Sequence, residues 1–574
     1  MEDDRAARLE QILSSDAAHK LIISGPGTGK TYTFGQVLLR DPGESLVVTL
    51  INNLVDDMQA ELGELADVRT FHSLARMLLH GHPYGGISTK FHFYPPLLDI
   101  VSTDSLTLRR AGHLAQSFSP LEFASAFRLL VEDDGRVDLF VGRANYYDAV
   151  GFDDSVYRLL SLFRENAKAV PTYHHVMVDE YQDFSQLEVA VISALELQNR
   201  TLIVGDDDQA IYDFRQASPA HLREKAKDED YARFALPYCT RCTEAVVSAT
   251  HSIVERAQQI GALQNRLDKE FVCYLPDKLR DNERYPSIQL VECTVHRKNT
   301  PYIPRYIESV VSNIDAEELN LADEGGYPLA MVVGPGHYLD QIHEYLVARF
   351  ERVAFKPRSQ LGISVPDGFK LLRERQNSNL GWRVLVELLD PSSLDKVIVG
   401  TCDNRTQVVD LLDEEFIRKQ LARLDAINKA ITNVESVSSE ELADLEFVLG
   451  QPIGASIDLL VDRAKARVDE PAQENHADGA PQPSILLTNF NGCKGLSAAF
   501  TFITGLERGT FPREDQSPSD TEICQLIVAV TRTRKQCHLI HTRNFAGNWT
   551  EPSLFFGWIP GEICERVEVN KDYF

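Results

Sequence analysis

The chain has 574 residues, 43% hydrophobic and 25% charged, the composition of a globular protein long enough for several domains. A formal net charge of −27 excludes a protein that coats nucleic acid with an overall basic surface, but leaves room for a local basic groove. No apolar run reaches the length of a membrane-spanning helix, the acidic start MEDDRAARLEQ is unlike a secretory signal, and nine scattered cysteines suit a reducing, cytoplasmic setting.

Residues 1–20 read as a helix that breaks at Ser14-Ser15-Asp16, with Gln11 placed where an amide can read the adenine edge or simply face solvent. The strand-like LIIS then runs into Ser24-Gly25-Pro26-Gly27-Thr28-Gly29-Lys30-Thr31. A strand, a Gly-rich turn and a helix start form a phosphate cradle. Backbone N–H groups converge on the anion, Lys30 adds a point charge, and the Thr31 hydroxyl is a ligand for Mg²⁺. Relative to GxxxxGK[ST], Ser24 stands in the place of the first glycine. A buried strand at 45–51, a helix after it and then the stretch Val68–Leu74 continue an alternation that predicts a parallel α/β sheet whose strand ends collect ligands.

Residues 76–165 lose the strand rhythm and read as a helical insertion whose many aromatics can stack bases but better suit packing a core. The sheet resumes at His175–Val178 and ends in Asp179-Glu180, the second half of an NTPase site: the aspartate for the metal, the glutamate for the attacking water. Another strand ends in Gly205-Asp206-Asp207-Asp208-Gln209, with Gln209 as a γ-phosphate sensor. Tyr212, Phe214 and Arg215 follow, residue types that stack on or clamp a single strand. Cys239-Thr240-Arg241-Cys242 is the sole CxxC and reads as structural.

In the second half, Pro328–Gly334 is a buried strand followed by a helix. From about residue 384 the pattern is helical and strongly charged. Val468–Pro483 is a polar Pro/Ala linker, and strands return at 484–487 and 499–505.

In this order SGPGTGKT, TLIN, TFHSLA, VDEYQD, VGDDDQAIYDFRQA, LPYCTRC, KGL and VAVTRTR resemble the motifs of the UvrD/Rep/PcrA-like superfamily 1 DNA helicases over most of the chain. The resemblance implies two tandem RecA-like parallel-sheet domains. The first comprises 1–75 and 166–240 around a helical insertion, 76–165. The second comprises 241–383 and 484–574 around a reduced helical 2B-like insertion and linker, 384–483. It implies an ATP–Mg²⁺ site of Lys30, Thr31, Asp179 and Glu180, with Tyr32 and Gly495 also against the nucleotide. Gln209 links that site to DNA, and Arg241 and Arg532 reach the γ-phosphate from the second domain. Asn52, Thr70, Phe71 and His72 join Tyr212, Phe214 and Arg215 on single-stranded DNA.

The implied activity is an ATP-dependent helicase or translocase moving 3′ to 5′ on single-stranded DNA and at duplex junctions. The competing expectation is an ATP-gated nucleic-acid sensor that unwinds poorly and works with a nuclease or a repair or defence partner. The chain departs from the family pattern at Thr240, where an adenine-stacking tyrosine is usual, and at Asn491, Ser497, Ile523 and Cys524.

Overall fold

The computed structural model describes residues 1–50, 52–131, 134–294, 296–297, 300–355, 362–460, 482–514, 517–545 and 547–574. The chain divides into two compact units. The first takes Met1–Phe71, Val170–Ser359 and Gly479–Phe574; the second takes His72–Ala169 and Gln360–Asp478.

The first unit holds two all-parallel sheets. Strands β1 (His19–Ser24), β2 (Ser45–Thr49), β3 (Asp67–Thr70), β4 (His175–Val178), β5 (Arg200–Gly205) and β6 (Tyr231–Leu236) are arranged β3-β2-β4-β5-β1-β6. β7 (Ile288–Cys293), β8 (Ala330–Val333), β9 (Arg352–Phe355), β10 (Ser484–Thr488), β11 (Ala498–Ile503), β12 (Thr533–Thr542) and β13 (Cys564–Val569) are arranged β9-β10-β8-β11-β12-β7-β13. Parallel strands sandwiched by helices bury both faces, which explains runs such as SLVVT and AMVV with every residue buried. The period of two sorts neighbours to opposite faces. Val291, Val332, Leu487, Phe502 and Ile540 join one core; Leu290, Met331, Leu486, Ile503 and Leu539 join the other. These are the tandem RecA-like domains expected from the sequence.

The second unit is almost wholly helical. Its later half is built on Phe369, Leu372, Trp382, Leu385, Leu424, Ile427 and Leu445. It is tied to the earlier half by a buried ionic cluster. Asp104 Oδ1 accepts from Arg383 Nε at 3.1 Å and Nη2 at 3.0 Å, and Oδ2 accepts from Arg143 Nε at 3.0 Å and the Tyr147 hydroxyl at 2.6 Å. Arg143 Nη1 also donates to Thr401 O and Asn404 Oδ1, both at 2.9 Å.

One sequence expectation shifts, and one lies outside the described residues. The helical unit takes in residues from 360 rather than 384, because the helix Val365–Glu374 buries Phe369, Leu371 and Leu372 and packs on the helix Asn379–Leu389. The Pro/Ala linker Val468–Pro483 lies, except for Gln482 and Pro483, outside the described residues.

Candidate nucleotide site

The phosphate loop lies between β1 and the helix Lys30–Arg40. Gly27 (φ 68°) and Gly29 (φ 88°) are left-handed, a conformation open to glycine at little cost, and Gly29 caps the helix whose N-terminal amides face the loop. Thr28 Oγ1 donates to Gly25 O at 3.0 Å and closes the turn. A side chain at Gly27 would place a Cβ 2.5 Å from the Cβ of Arg241, and one at Gly25 would meet the Phe271 ring at 2.5 Å. Thr240 N–H donates to Gly27 O at 3.0 Å. The stretch 239–241 and Phe271 are therefore packed directly on the loop.

Asp179 and Glu180 stand at the carboxyl end of β4, both buried, with Glu180 in the left-handed region (φ 53°). That conformation costs a non-glycine residue about 1–3 kcal/mol and marks a backbone held for its side chain. Lys30 Nζ is 3.0 Å from Glu180 Oε1. Burial and the Glu180 charge push the Asp179 carboxyl up to about 6. Burial acts the same way on Glu180, but Lys30 and Lys494 outweigh it and hold Glu180 well below the usual carboxylate range. Asp179 Oδ1 is buried and accepts no hydrogen bond, and neither does Ser24 Oγ have a partner. A buried anionic oxygen without a donor, on the residue before the Glu180 that pairs with Lys30, fits a hard, oxygen-seeking cation.

From Glu180 a hydrogen-bonded chain crosses the unit. Gln182 Nε2 donates to Glu180 Oε2 at 2.5 Å, and Asp206 N–H donates to Gln182 Oε1 at 2.9 Å. Gln209 Nε2 donates to Asp206 Oδ2 at 2.6 Å, and Arg532 Nη2 donates to Gln209 Oε1 at 2.9 Å. Lys494 lies alongside: its Nζ donates to Gln209 O at 2.5 Å and pairs with Asp183 Oδ2 at 2.5 Å. Burial and the Arg241 charge push Arg532 down to about 10. The Arg532 and Arg241 guanidinium groups thus lie near enough to repel each other. The KGL motif pointed to Gly495, which is left-handed at φ 83°; the side chain that engages the site is the preceding Lys494.

A cavity of about 250 Å³ opens beside the loop, lined among others by Arg5, Thr28, Tyr32, Tyr238 and Tyr274. Arg5 Cζ is 4.7 Å from the Tyr274 ring centroid, and the Tyr238 and Tyr274 rings are 5.9 Å apart. Tyr32 is 55% exposed and lines this cavity. Gln11 is exposed and does not line it. Arg5, Arg8 and Leu9 share the helix face toward the cavity, and Gln11 lies about 120° around from it at 100° per residue. Tyr274 N–H donates at 2.8 Å to the carbonyl oxygen of Cys239, next in sequence to Thr240.

The expected nucleic-acid residues separate. Phe214 is 51% exposed, and Arg215 Nη2 lies 3.7 Å from Glu188 Oε1. Tyr212 is mostly buried, with Lys494 Nζ 5.5 Å from its ring and Phe214 packed edge-on at 5.8 Å. Phe71 corrects its assignment: it is fully buried, edge-on to Phe184 at 5.0 Å, and has no face to offer a base. Thr70 is buried at the end of β3. His72 belongs to the helical unit, its ring 4.7 Å from Phe152. Asn52 begins a helix, and its side chain lies outside the described residues. At the departures from the family pattern, Ser497 Oγ accepts from Arg534 Nε at 3.0 Å and Asn491 Oδ1 accepts from Gln525 Nε2 at 2.7 Å.

Residues 136–230 match the UvrD/REP helicase N-terminal domain. Over 97% of this chain and 85% of its own length, the ATP-dependent DNA helicase UvrD1 of Mycobacterium tuberculosis is 23% identical. DNA helicase II of Escherichia coli is 23% identical over 98% of this chain and 88% of its own. The ATP-dependent DNA helicase PcrA of Staphylococcus aureus is 22% identical over 96% and 85%. With two RecA-like sheets, the ordered motifs and similarity over almost its whole length, the chain is similar to the UvrD/Rep/PcrA-like helicases.

Proposed function

We propose that this chain is an ATP-dependent DNA helicase or translocase that moves 3′ to 5′ on single-stranded DNA. The observation that carries the proposal is the unbroken chain Lys30–Glu180–Gln182–Asp206–Gln209–Arg532, which joins the phosphate loop of the first sheet to the helix end of the second. Bound ATP–Mg²⁺ supplies the scissile anhydride and the charge that neutralises its phosphates. Ser24–Thr31 would cradle the phosphates, and Thr31 and Asp179 would hold the ion. Glu180 would leave Lys30 for the attacking water, since Lys30 has the phosphates to bind. Arg241 and Arg532 would stabilise the equatorial oxygens in the transition state. Gln209 bonds Arg532 and lies three residues before Tyr212, so its movement on turnover would reach Phe214. The cavity beside Tyr274 would take the base.

Among the described residues no helix is long and apolar enough to cross a membrane, which suits a protein working on DNA in the cytoplasm. A strand-displacement assay on duplexes with 3′ or 5′ single-stranded tails tests the proposal. Unwinding from 3′ tails, lost in Lys30→Ala and Glu180→Gln, supports it; unwinding only from 5′ tails overturns the polarity. A second reading, a DNA-stimulated ATPase with weak unwinding, draws on the buried Asp104 cluster that ties both halves of the helical unit together. It predicts DNA-stimulated turnover with little displacement of long duplexes.

A further inference from the structure

The acidic run after β5 is buried, with Asp206, Asp207 and Asp208 exposed by 4% or less. Three buried carboxylates in sequence are tolerable only if cations meet them. Lys269 sits at their centre, its side chain 4% exposed: Nζ pairs with Asp206, with Asp207 Oδ1 at 3.0 Å and with Asp208 Oδ2 at 2.9 Å. Arg266 Nε donates to Asp208 Oδ1 at 2.7 Å, Arg223 Nε to Asp207 Oδ2 at 3.0 Å, and Leu267 N–H to Asp207 Oδ2 at 2.8 Å. Burial alone would discharge the Lys269 ammonium; the three carboxylates outweigh it and keep the group charged.

The position of Asp206 makes this more than a structural clasp. Its Oδ1 takes Lys269 and Asp208 N–H, and its Oδ2 takes Gln209 Nε2. With the Gln209 amide nitrogen committed to Asp206, its oxygen faces Arg532. The same stretch then runs on to Phe271, packed on Gly25, and to Tyr274 in the cavity wall. Residues 266–274 therefore touch the sensor loop, the phosphate loop and the base cavity in one short segment.

We infer that Lys269 is a positioning residue for turnover: by anchoring Asp206 it fixes the Gln209 amide, and through it the Arg532 guanidinium. The inference rests on the ATPase reading above. Without Lys269, Asp206 has no cation holding Oδ1, and Gln209 loses its fixed partner. The effect belongs to the chemical step and not to nucleotide binding.

The test uses the full chain with Lys269→Met and with the double variant Lys269→Met/Asp207→Asn. The double variant restores the balance of two carboxylates against Arg223 and Arg266, yet leaves Asp206 unanchored. The readouts are thermal melting, mant-ADP affinity, and kcat and KM for ATP with single-stranded DNA. The expected result is a double variant that melts near wild type and binds mant-ADP within twofold. Its KM stays within about threefold while kcat falls by about 10- to 100-fold. If Lys269 only balances charge, the double variant recovers kcat to within twofold of wild type, and the inference is overturned. It is overturned equally if both variants fail to fold. If wild type itself shows no turnover, the ATPase reading falls and this inference with it; a wild type that turns over beside a fully active double variant sinks only this one.

Discussion

Replacing Arg532 with methionine should silence turnover while leaving the folded protein about as stable as before. Arg532 is 3% exposed, and its pKa is pushed down to about 10 from an ordinary 12.5 by burial and by Arg241. At pH 7 the group is charged both folded and unfolded. A base whose folded pKa is depressed therefore subtracts stability at every pH below both values. At about 1.4 kcal/mol per pKa unit, the charge destabilises the native state by about 3 kcal/mol. Methionine removes that burden but takes donors from Val528 O, Leu496 O, Gln209 Oε1 and Thr531 Oγ1. Four hydrogen bonds at about 1 kcal/mol each offset the gain, so the net change in unfolding free energy is within about 1 kcal/mol of zero. That contrasts with the roughly 3–5 kcal/mol lost when a buried ion pair is broken. Turnover should fall by about 10³-fold or more, the value of an arginine at the transferring phosphoryl group. Urea unfolding and phosphate release at saturating ATP measure the two. Destabilisation beyond about 3 kcal/mol would make Arg532 a structural residue, and turnover within tenfold of wild type would remove it from the reaction.

Phe214→Ala should weaken binding of an oligo(dT) by about 1–3 kcal/mol, one base stack, without changing KM for ATP; anisotropy titrations at fixed salt give the number, and an unchanged affinity removes Phe214 from the strand. Tyr274→Ala should raise KM for ATP by about 5-fold, one aromatic contact of roughly 1 kcal/mol, and flatten the preference for ATP over GTP; equal KM values in both proteins would place the base elsewhere. Asp104→Ala strands the side chains of Arg143 and Arg383, 1% and 0% exposed, and should cost about 3–5 kcal/mol, with loss of hydrogen-exchange protection confined to the helical unit. Burial alone would raise the Asp104 pKa, but the two arginines outweigh it and hold it below 3.8. Its contribution is thus present above about pH 4 and disappears as pH falls through the folded pKa, so wild type and Asp104→Ala should converge in stability in strong acid.

What the sequence disclosed was chemistry carried by contiguous residues. The phosphate loop, Asp179-Glu180 and Gln209 each follow a strand, and a strand end with the right side chains is already half a site. Parallel sheets were visible because strands buried on both faces read as unbroken apolar runs. Contacts made across long stretches of chain were invisible. Arg383 reaches Asp104 from 279 residues away, and Lys494 reaches Gln209 from 285. Phe71 looked like a stacking residue because its motif is shared; Phe184, brought from beyond β4, decides that it is core. Gln11 lay in a plausible place along the chain but on the wrong side of its helix, and helix phase is fixed only once the cavity is known. Tyr274 and Lys269 had no local signal, because each acts on a partner from another strand end.

ATP turnover at the phosphate loop should be coupled to a single strand of DNA. Steady-state ATPase with single-stranded DNA, with RNA and with no nucleic acid, at low and high salt, tests it most directly. The account predicts low basal turnover and at least about tenfold stimulation by single-stranded DNA that weakens as salt rises, since phosphate contacts release counterions. Turnover unchanged by DNA at either salt concentration would contradict it.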